Sequence, residues 1–302
     1  MRSLADLRDA GASILRGAVG SARENPRREA TLLLQTVTGL DHGELIRRHD
    51  DTLAADAAAD YLRLVEERRA GVPLQILAGS APFHEIRLAV ESGVFIPRPE
   101  TELLVERARE AVFDRVADRP AEDPVVVLDL CTGTGAIAIA VAAAYRGWNR
   151  VRVHAGDWSP AAVHLARRNA EGNRAEVDVR RSDLFSAFAD LEGRVDVLVS
   201  NPPYVEPGTL LPPEVRHDPP EALFDPGGGT GFHQRLARRG RDFLRGGGTI
   251  LLETGETQGE EVARILRDTG YGRVEVLRDL AGRDRFARGV APGGEDPSMR
   301  SS

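Results

Sequence analysis

Through the first seventy positions, apolar residues recur every three to four places in “LADLRDAGASIL”, “REATLLLQTV” and “AADYLRLVEERRA”. That is the spacing of one face of an α-helix. Asn25-Pro26 opens one of these helices and Gly39 ends it, while Gly71-Val72-Pro73 stops the last. A small helical bundle is therefore predicted over 1–73. The stretch “LQILAGSAPFHEIRLAVESGVFIP” (74–97) is punctuated by glycine and carries short β-prone runs, so 74–98 is predicted to be a β-hairpin linker. “TELLVERAREAVFDRVAD” (101–118) returns to helical spacing, with Leu103, Leu104, Val105, Ala108, Val112 and Val116 as its apolar stripe and Thr101 as its expected N-cap.

From residue 124 the rhythm alternates. “VVVLDL” (125–130) leads into a glycine turn and the helix “AIAIAVAAAY”. “VRVHAG” and Asp157 lead into the helix “PAAVHLARRNAE”, with Ser159 as N-cap and Pro160 at its first position. “VDVRR”, “VDVLVS”, “GTILLE”, “RVEVLRD” and “RFARGV” continue the series. Strands that are apolar on both faces and separated by helices imply a parallel sheet covered on both sides. The fold class is thus α/β, with a second domain over 99–290 and a tail, 291–302, of disorder-like composition.

Composition narrows the classes of function. The 302 residues exceed what one compact core needs, which agrees with two domains. Net charge is −7 and the 40 Lys and Arg are scattered. No basic face of the kind that neutralises phosphates stands out, so specific nucleic-acid binding is not expected. A single cysteine, Cys131, excludes an intramolecular disulfide and a multi-cysteine zinc site, and fits a reducing, cytoplasmic setting. The N-terminus lacks the continuous apolar core of a signal peptide, and no run of about 18 apolar residues exists to span a bilayer. A monomeric protein with no metal and no membrane association is expected.

Two motifs carry chemistry. “DLCTGTGAIA” (129–138) places Gly133 and Gly135 directly after the first strand of the sheet, where the backbone can approach a ligand and the next helix offers free N–H groups. Asp157 follows at the end of the second strand, the position from which a carboxylate accepts hydrogen bonds from both ribose hydroxyls. Gly133-x-Gly135-x-x-Ala138 also fits the dinucleotide pattern. Asp129 at the first strand end, and “SDLF” (182–185) after the third, tip the choice toward S-adenosylmethionine. Asp129 would then lie near the amino-acid end of the ligand and Asp183 near the adenine amino group. Trp158 is placed either on the adenine face or in the core. The second motif, “SNPPYV” (200–205), follows the fourth strand and so falls at the same carboxyl edge of the sheet. There Pro202 and Pro203 stiffen the turn between Asn201 and Tyr204.

N-P-P-Y after the fourth strand resembles the signature of S-adenosylmethionine-dependent methyltransferases that act on planar nitrogens. The resemblance extends over nearly the whole chain. “RRAGVPLQILAG”, “GVFIPRPETELLVE”, “DLCTGTGAIAIA”, “SNPPYV”, “LLETGETQ” and “DLAGRDRFA” together are similar to the release-factor glutamine N5-methyltransferase (HemK/PrmC) family. This implies a Rossmann-like, seven-stranded, mostly parallel sheet behind a helical domain that helps dock the substrate protein. The implied reaction is methylation of the side-chain amide of the GGQ glutamine in class I peptide-chain release factors. The resemblance further implies that Cys131, Thr132, Gly133, Thr134 and Gly135 hold the cofactor and that Asp157 binds its ribose. Asp129, Trp158, Asp183, Leu184 and Asn201 complete the cofactor contacts, with Leu184 bordering the adenine. Asn201, Pro202, Pro203 and Tyr204 hold the glutamine, with Asn201, Pro202 and Tyr204 acting in catalysis. His217 and His233 are candidate proton acceptors or, more simply, surface histidines.

The chain departs from the family pattern at two places. Cys131 stands where glycine is usual. “DPPEALFDPGGGTGF” (218–232) is about two residues longer than the family's segment, with Thr230 in place of an aspartate. A paralogue acting on another planar nitrogen, an adenine-N6 methyltransferase and a non-catalytic binding scaffold remain as alternatives. A nicotinamide dehydrogenase leaves NPPY without a purpose.

Overall fold

The computed structural model describes residues 2–17, 25–117, 119–120 and 122–293. The chain divides into two compact units, one of residues 1–81 with 211–217, the other of 82–210 with 218–302.

The first unit is helical. Helix α1 (Leu4–Arg16) starts at a capping box in which Ser3 and Asp6 satisfy each other's backbone N–H groups. Helix α2 (Pro26–Thr38) has Asn25 as N-cap, Pro26 at its first position and Gly39 in the left-handed conformation at its end, as the sequence pattern predicts. Helix α3 (His42–Arg47) opens on a second capping box, Asp41 with Glu44, and α4 (Ala55–Arg69) follows. Their apolar faces bury Leu7, Leu15, Leu33, Tyr61 and Val65. Arg68 is buried in this unit; its Nε and Nη2 fork onto the Glu29 carboxylate at 2.8 and 2.9 Å, and Nη1 lies 2.8 Å from Glu214. A short helix, α5 (Leu74–Ala78), occupies the start of the stretch predicted as a hairpin linker. Leu74 and Leu77 pack against the bundle core. So brief an apolar run does not reveal whether its period is two or 3.6.

A two-stranded sheet, β1 (Ser80–Phe83) and β2 (Ile86–Ala89), follows. Helix α6 (Thr101–Ala117) buries Leu104, Val105, Ala108, Val112 and Val116 of the predicted stripe and leaves Leu103 half-buried. Thr101 is the first residue of the helix rather than its cap, and its hydroxyl is used elsewhere, as described below.

The large sheet is built from β3 (Val125–Leu130), β4 (Val151–Asp157), β5 (Val177–Arg181), β6 (Val195–Ser200), β7 (Leu244–Glu253), β8 (Gly272–Arg278) and β9 (Asp284–Val290). Helices α7 (Ala136–Ala144), α8 (Pro160–Gly172), α9 (Pro220–Leu223), α10 (Gly231–Phe243) and α11 (Gly259–Asp268) connect them. Among the described residues its seven strands lie in the order β5-β4-β3-β6-β7-β9-β8, all parallel except β9, which runs antiparallel to both neighbours. β3 and β6 are buried at every position, and two apolar clusters cover the two faces of the sheet. The strand order reverses direction at β3, whose neighbours are β4 on one side and β6 on the other. That switch point opens a crevice beyond the carboxyl ends of the strands, the place where open α/β sheets bind ligands.

Of the predicted tail, Ala291 is buried, and its N–H donates to the Gly248 carbonyl at 2.8 Å; 294–302 lie outside the described residues. Among the described residues no helix is long and apolar enough to cross a membrane.

Candidate active site

Strand register assembles the site. Leu130 of β3 pairs with Gly156 of β4 and with Ser200 of β6, and Ser200 pairs with Leu252 of β7. One residue further on, Cys131, Asp157, Asn201 and Glu253 therefore stand in a row across the carboxyl edge. The Ser200 hydroxyl donates to the Leu130 carbonyl at 2.6 Å and fastens the two central strand ends together.

The turn after β3 is unusually shaped. Cys131, Gly133 and Gly135 all have positive φ, of 60°, 54° and 83°. At Gly135 a Cβ would lie 2.7 Å from Ile139 Cδ1 and 3.3 Å from the Ala166 backbone, so glycine permits both the left-handed turn and the close approach of α8. Cys131 holds a left-handed conformation that costs an L-residue roughly 1–2 kcal/mol and that glycine adopts freely. Burial pushes its thiol well above the usual cysteine range. Asp129 is fully buried; its Oδ2 accepts from the Thr132 hydroxyl at 2.5 Å and from the Ala138 N–H at 3.2 Å. Its Oδ1 is buried with no partner, and burial raises the carboxyl to about 7. Asp157 Oδ2 accepts from the Gly133 N–H at 2.9 Å and Oδ1 from the Ser159 N–H at 3.0 Å, tying the glycine turn to the start of α8.

Around this turn, Trp158 is 58% exposed, which removes the core placement left open by the sequence. Asp183 is exposed and paired with Arg235 at 2.8 Å. Leu184 is buried, with φ 48° and its carbonyl accepting from the Ser182 hydroxyl at 2.5 Å.

In the second motif Pro202 and Pro203 are buried, while Asn201 and Tyr204 are half-buried. Asn201 Nδ2 donates to Thr101 Oγ1 at 3.3 Å, and Thr101 donates to Glu253 Oε2 at 2.9 Å. Gln258 Nε2 donates to the Tyr204 carbonyl at 2.9 Å and to the Gly229 carbonyl at 3.2 Å. Val205 forms a parallel bridge with Phe224. The irregular 218–232 segment is thus bonded directly to the NPPY turn. Within it, Asp225 accepts from the Gly227 N–H at 2.9 Å and the Gly231 N–H at 2.5 Å, which closes the glycine loop. Thr230 is buried and donates to Glu261 at 3.3 Å. Asp218 accepts from the Ile96 N–H at 2.8 Å and pairs with Arg98, which holds “GVFIPRPE”.

The two histidines separate. His217 is exposed. His233 is fully buried rather than at the surface; its Nε2 donates to the Glu253 carbonyl at 2.8 Å, and burial keeps the ring neutral. Glu253 and Gln258 carry site geometry that the sequence did not assign. One local signal existed for Glu253: an acid that ends the apolar run “TILL” is out of place on a buried strand.

Burial raises Glu253 from 4.5 to about 7. Between these values the folded chain keeps a proton that the unfolded chain has lost, so this group's contribution to stability falls as pH rises through that window. Glu253→Gln removes the charge and keeps a carbonyl for Thr101. Its melting temperature relative to wild type is expected to climb by a few degrees from pH 5 to pH 8.5. A thermal scan across that range checks this, and a constant difference would contradict it.

Comparisons with known proteins agree with this architecture. The family model described as PrmC N-terminal domain matches residues 6–79, and that described as Methyltransferase small domain matches 101–212. The release factor glutamine methyltransferase of Streptomyces coelicolor is 42% identical over 268 residues, covering 87% of this chain and 90% of that protein. That of Mycolicibacterium smegmatis is 41% identical over 266 residues, covering 86% and 89%. In fold alone, the chain is similar to the hMettl16 catalytic domain, with a TM-score of 0.54 at 15% identity over 86% of this chain and 95% of that one. By these relatives, and by motifs spread from the helical unit to the last strand, the chain belongs to the release factor glutamine methyltransferase family.

Proposed function

We infer that this enzyme transfers a methyl group from S-adenosylmethionine to the side-chain amide nitrogen of the GGQ glutamine in class I peptide-chain release factors. The observation that carries the reading is the rigid NPPY turn beside the glycine turn, across the switch point between β3 and β6.

The residues after β3 and β4 suit the cofactor. A Cβ at Gly135 would fill the tight turn. The unpartnered, buried Oδ1 of Asp129 suits a donor at the amino-acid end of the ligand, and Asp157 suits the ribose. Gly133 to Gly135 would pass close to the ligand, with Trp158, Asp183 and Leu184 around the adenine. When bound, the cofactor supplies a methyl group already made electrophilic by a sulfonium.

The chain's own task is therefore alignment. An amide nitrogen is a poor nucleophile because its lone pair is delocalised into the carbonyl. Asn201 Oδ1 and the Pro202 carbonyl accept hydrogen bonds from its N–H groups, fix its plane and raise electron density on nitrogen. Tyr204 stacks on that plane. Its phenol stays un-ionised, since burial and the nearby Glu253 charge hold it above the ordinary tyrosine range against the pull of Arg285. Buried Pro202 and Pro203 keep the turn stiff and dry, so the arrangement acts through positioning. As the N–CH3 bond forms the S–CH3 bond breaks, S-adenosylhomocysteine is the neutral thioether product, and the nitrogen, made acidic by methylation, releases its proton to solvent. Buried, neutral His233 faces the Glu253 backbone and takes no part. The helical unit holds the protein substrate.

The test is transfer of tritium from labelled S-adenosylmethionine to a purified class I release factor. Label is expected on the wild-type factor and none on its GGQ→GGA variant. Label that persists on the GGA variant, or appears only on a small molecule, overturns the assignment.

A further inference from the structure

A carboxamide can be turned end for end with almost no change of shape, yet its two ends have opposite hydrogen-bonding character. With its NH2 end toward the substrate, Asn201 would oppose the N–H it has to hold. Something must fix which way it points.

Three side chains far apart in sequence meet at the carboxyl edge. Glu253 is buried at the end of β7, 2% exposed, and as a carboxylate it can only accept. Thr101 Oγ1 lies 2.9 Å from Glu253 Oε2, so its single proton is committed there. Thr101 then has only lone pairs to offer Asn201, 3.3 Å away. The amide nitrogen of Asn201 is the end that satisfies them, and Oδ1 is turned away from Thr101.

We propose that Thr101 and Glu253 are positioning residues for methyl transfer, a one-way relay from Asn201 to Thr101 to Glu253 that holds Asn201 Oδ1 toward the substrate amide. The proposal rests on the reading that Asn201 holds the substrate N–H.

The relay has a polarity that depends on Glu253 being ionised. A protonated Glu253 has a hydrogen of its own to donate, which frees Thr101 to donate to Oδ1 and lets the amide turn over. Burial raises Glu253 to about 7, Thr101 and Arg285 oppose that rise, and Glu100 reinforces it. Of the other titratable groups facing it, Tyr204 stays un-ionised and His233 stays neutral against its backbone. The turnover rate is therefore governed by an acid limb in the neutral range.

The experiment measures kcat against pH with both substrates saturating, so that titration of Asp129 falls into cofactor affinity rather than into kcat. Wild type should rise to a plateau above about 7. Thr101→Val should lower kcat about 10- to 30-fold with cofactor Kd within about twofold, and Thr101→Ser should recover most of the loss. Glu253→Gln should lack the acid limb. A Thr101→Val enzyme with wild-type kcat, a Thr101→Ser enzyme as impaired as the valine variant, or a limb that persists in Glu253→Gln overturns the relay. A second readout needs no substrate. The Asn201 side-chain NH2 signal, identified in nitrogen-15 spectra by its loss in Asn201→Ala, should be protected from exchange in wild type and not in Thr101→Val. If wild type labels no release factor, the substrate reading falls and this signal alone decides; equal protection in both proteins overturns the relay.

Discussion

Asn201→Ala is expected to lower kcat for methyl transfer to the release factor about 10²- to 10³-fold, the usual loss when one preorganised polar group at a reacting centre is removed. Cofactor Kd should stay within about threefold, because the charged groups suited to the cofactor, Asp129 and Asp157, come from β3 and β4. The turn itself should survive. Pro202 and Pro203 fix the backbone without help from the Asn201 side chain, Ser200 remains bonded to Leu130, and Gln258 remains bonded to the Tyr204 carbonyl. What is lost is the Oδ1 acceptor, which leaves the Pro202 carbonyl to hold the substrate nitrogen alone. Steady-state kinetics beside equilibrium cofactor binding separates the two roles. Loss of both transfer and cofactor binding would make Asn201 a structural or cofactor-binding residue instead.

How far the sequence reaches can be judged from residues of the same site. β3 and β6 were legible because parallel strands covered on both faces must be apolar throughout, and the helices between them carry caps such as Ser159-Pro160. The positions of the glycine turn and Asp157 were legible because both fall at the carboxyl ends of successive strands, where open α/β sheets bind ligands. The relay was not, since Thr101 lies 100 residues from Asn201 and 152 from Glu253. Local pattern predicts Thr101 as a helix cap, because threonine is favoured at that position. The register of β6 on β7, set by long-range pairing, instead brought a carboxylate within reach of its hydroxyl. Asp218 and Gln258 escaped for the same reason, and Asp225 because its partners lie within an irregular loop. Asp218 and Gln258 bind backbone groups of distant loops and Asp225 those of its own, and no periodicity announces such bonds. His233 shows the opposite case: a polar residue expected at the surface sits in the core, where the Glu253 carbonyl accepts from its Nε2.

Asp157→Ala should weaken cofactor binding by about 10²-fold or more, since hydrogen bonds to a charged group are each worth about 1.5–3 kcal/mol and a ribose offers two hydroxyls. Part of the loss has a second origin. Asp157 also accepts from the Gly133 and Ser159 N–H groups, so alanine releases the glycine turn from the start of α8 and lets the left-handed backbone at Gly133 relax. Asp157→Asn is the intermediate case. It keeps the side-chain shape and one acceptor oxygen, so it holds one of the two backbone ties, to Gly133 or to Ser159, and gives up the other together with one ribose contact, with a Kd about tenfold above wild type. Burial raises the Asp157 carboxyl, opposed by its backbone donors, so the ionised form that accepts from both hydroxyls is the one lost as pH falls. Wild-type affinity should accordingly weaken on acidification, and the asparagine variant should respond less to pH. Titration calorimetry at two pH values measures all of this. An Asp157→Ala protein that binds S-adenosylmethionine within about threefold of wild type would remove Asp157 from the cofactor site and leave it the tie between two loops.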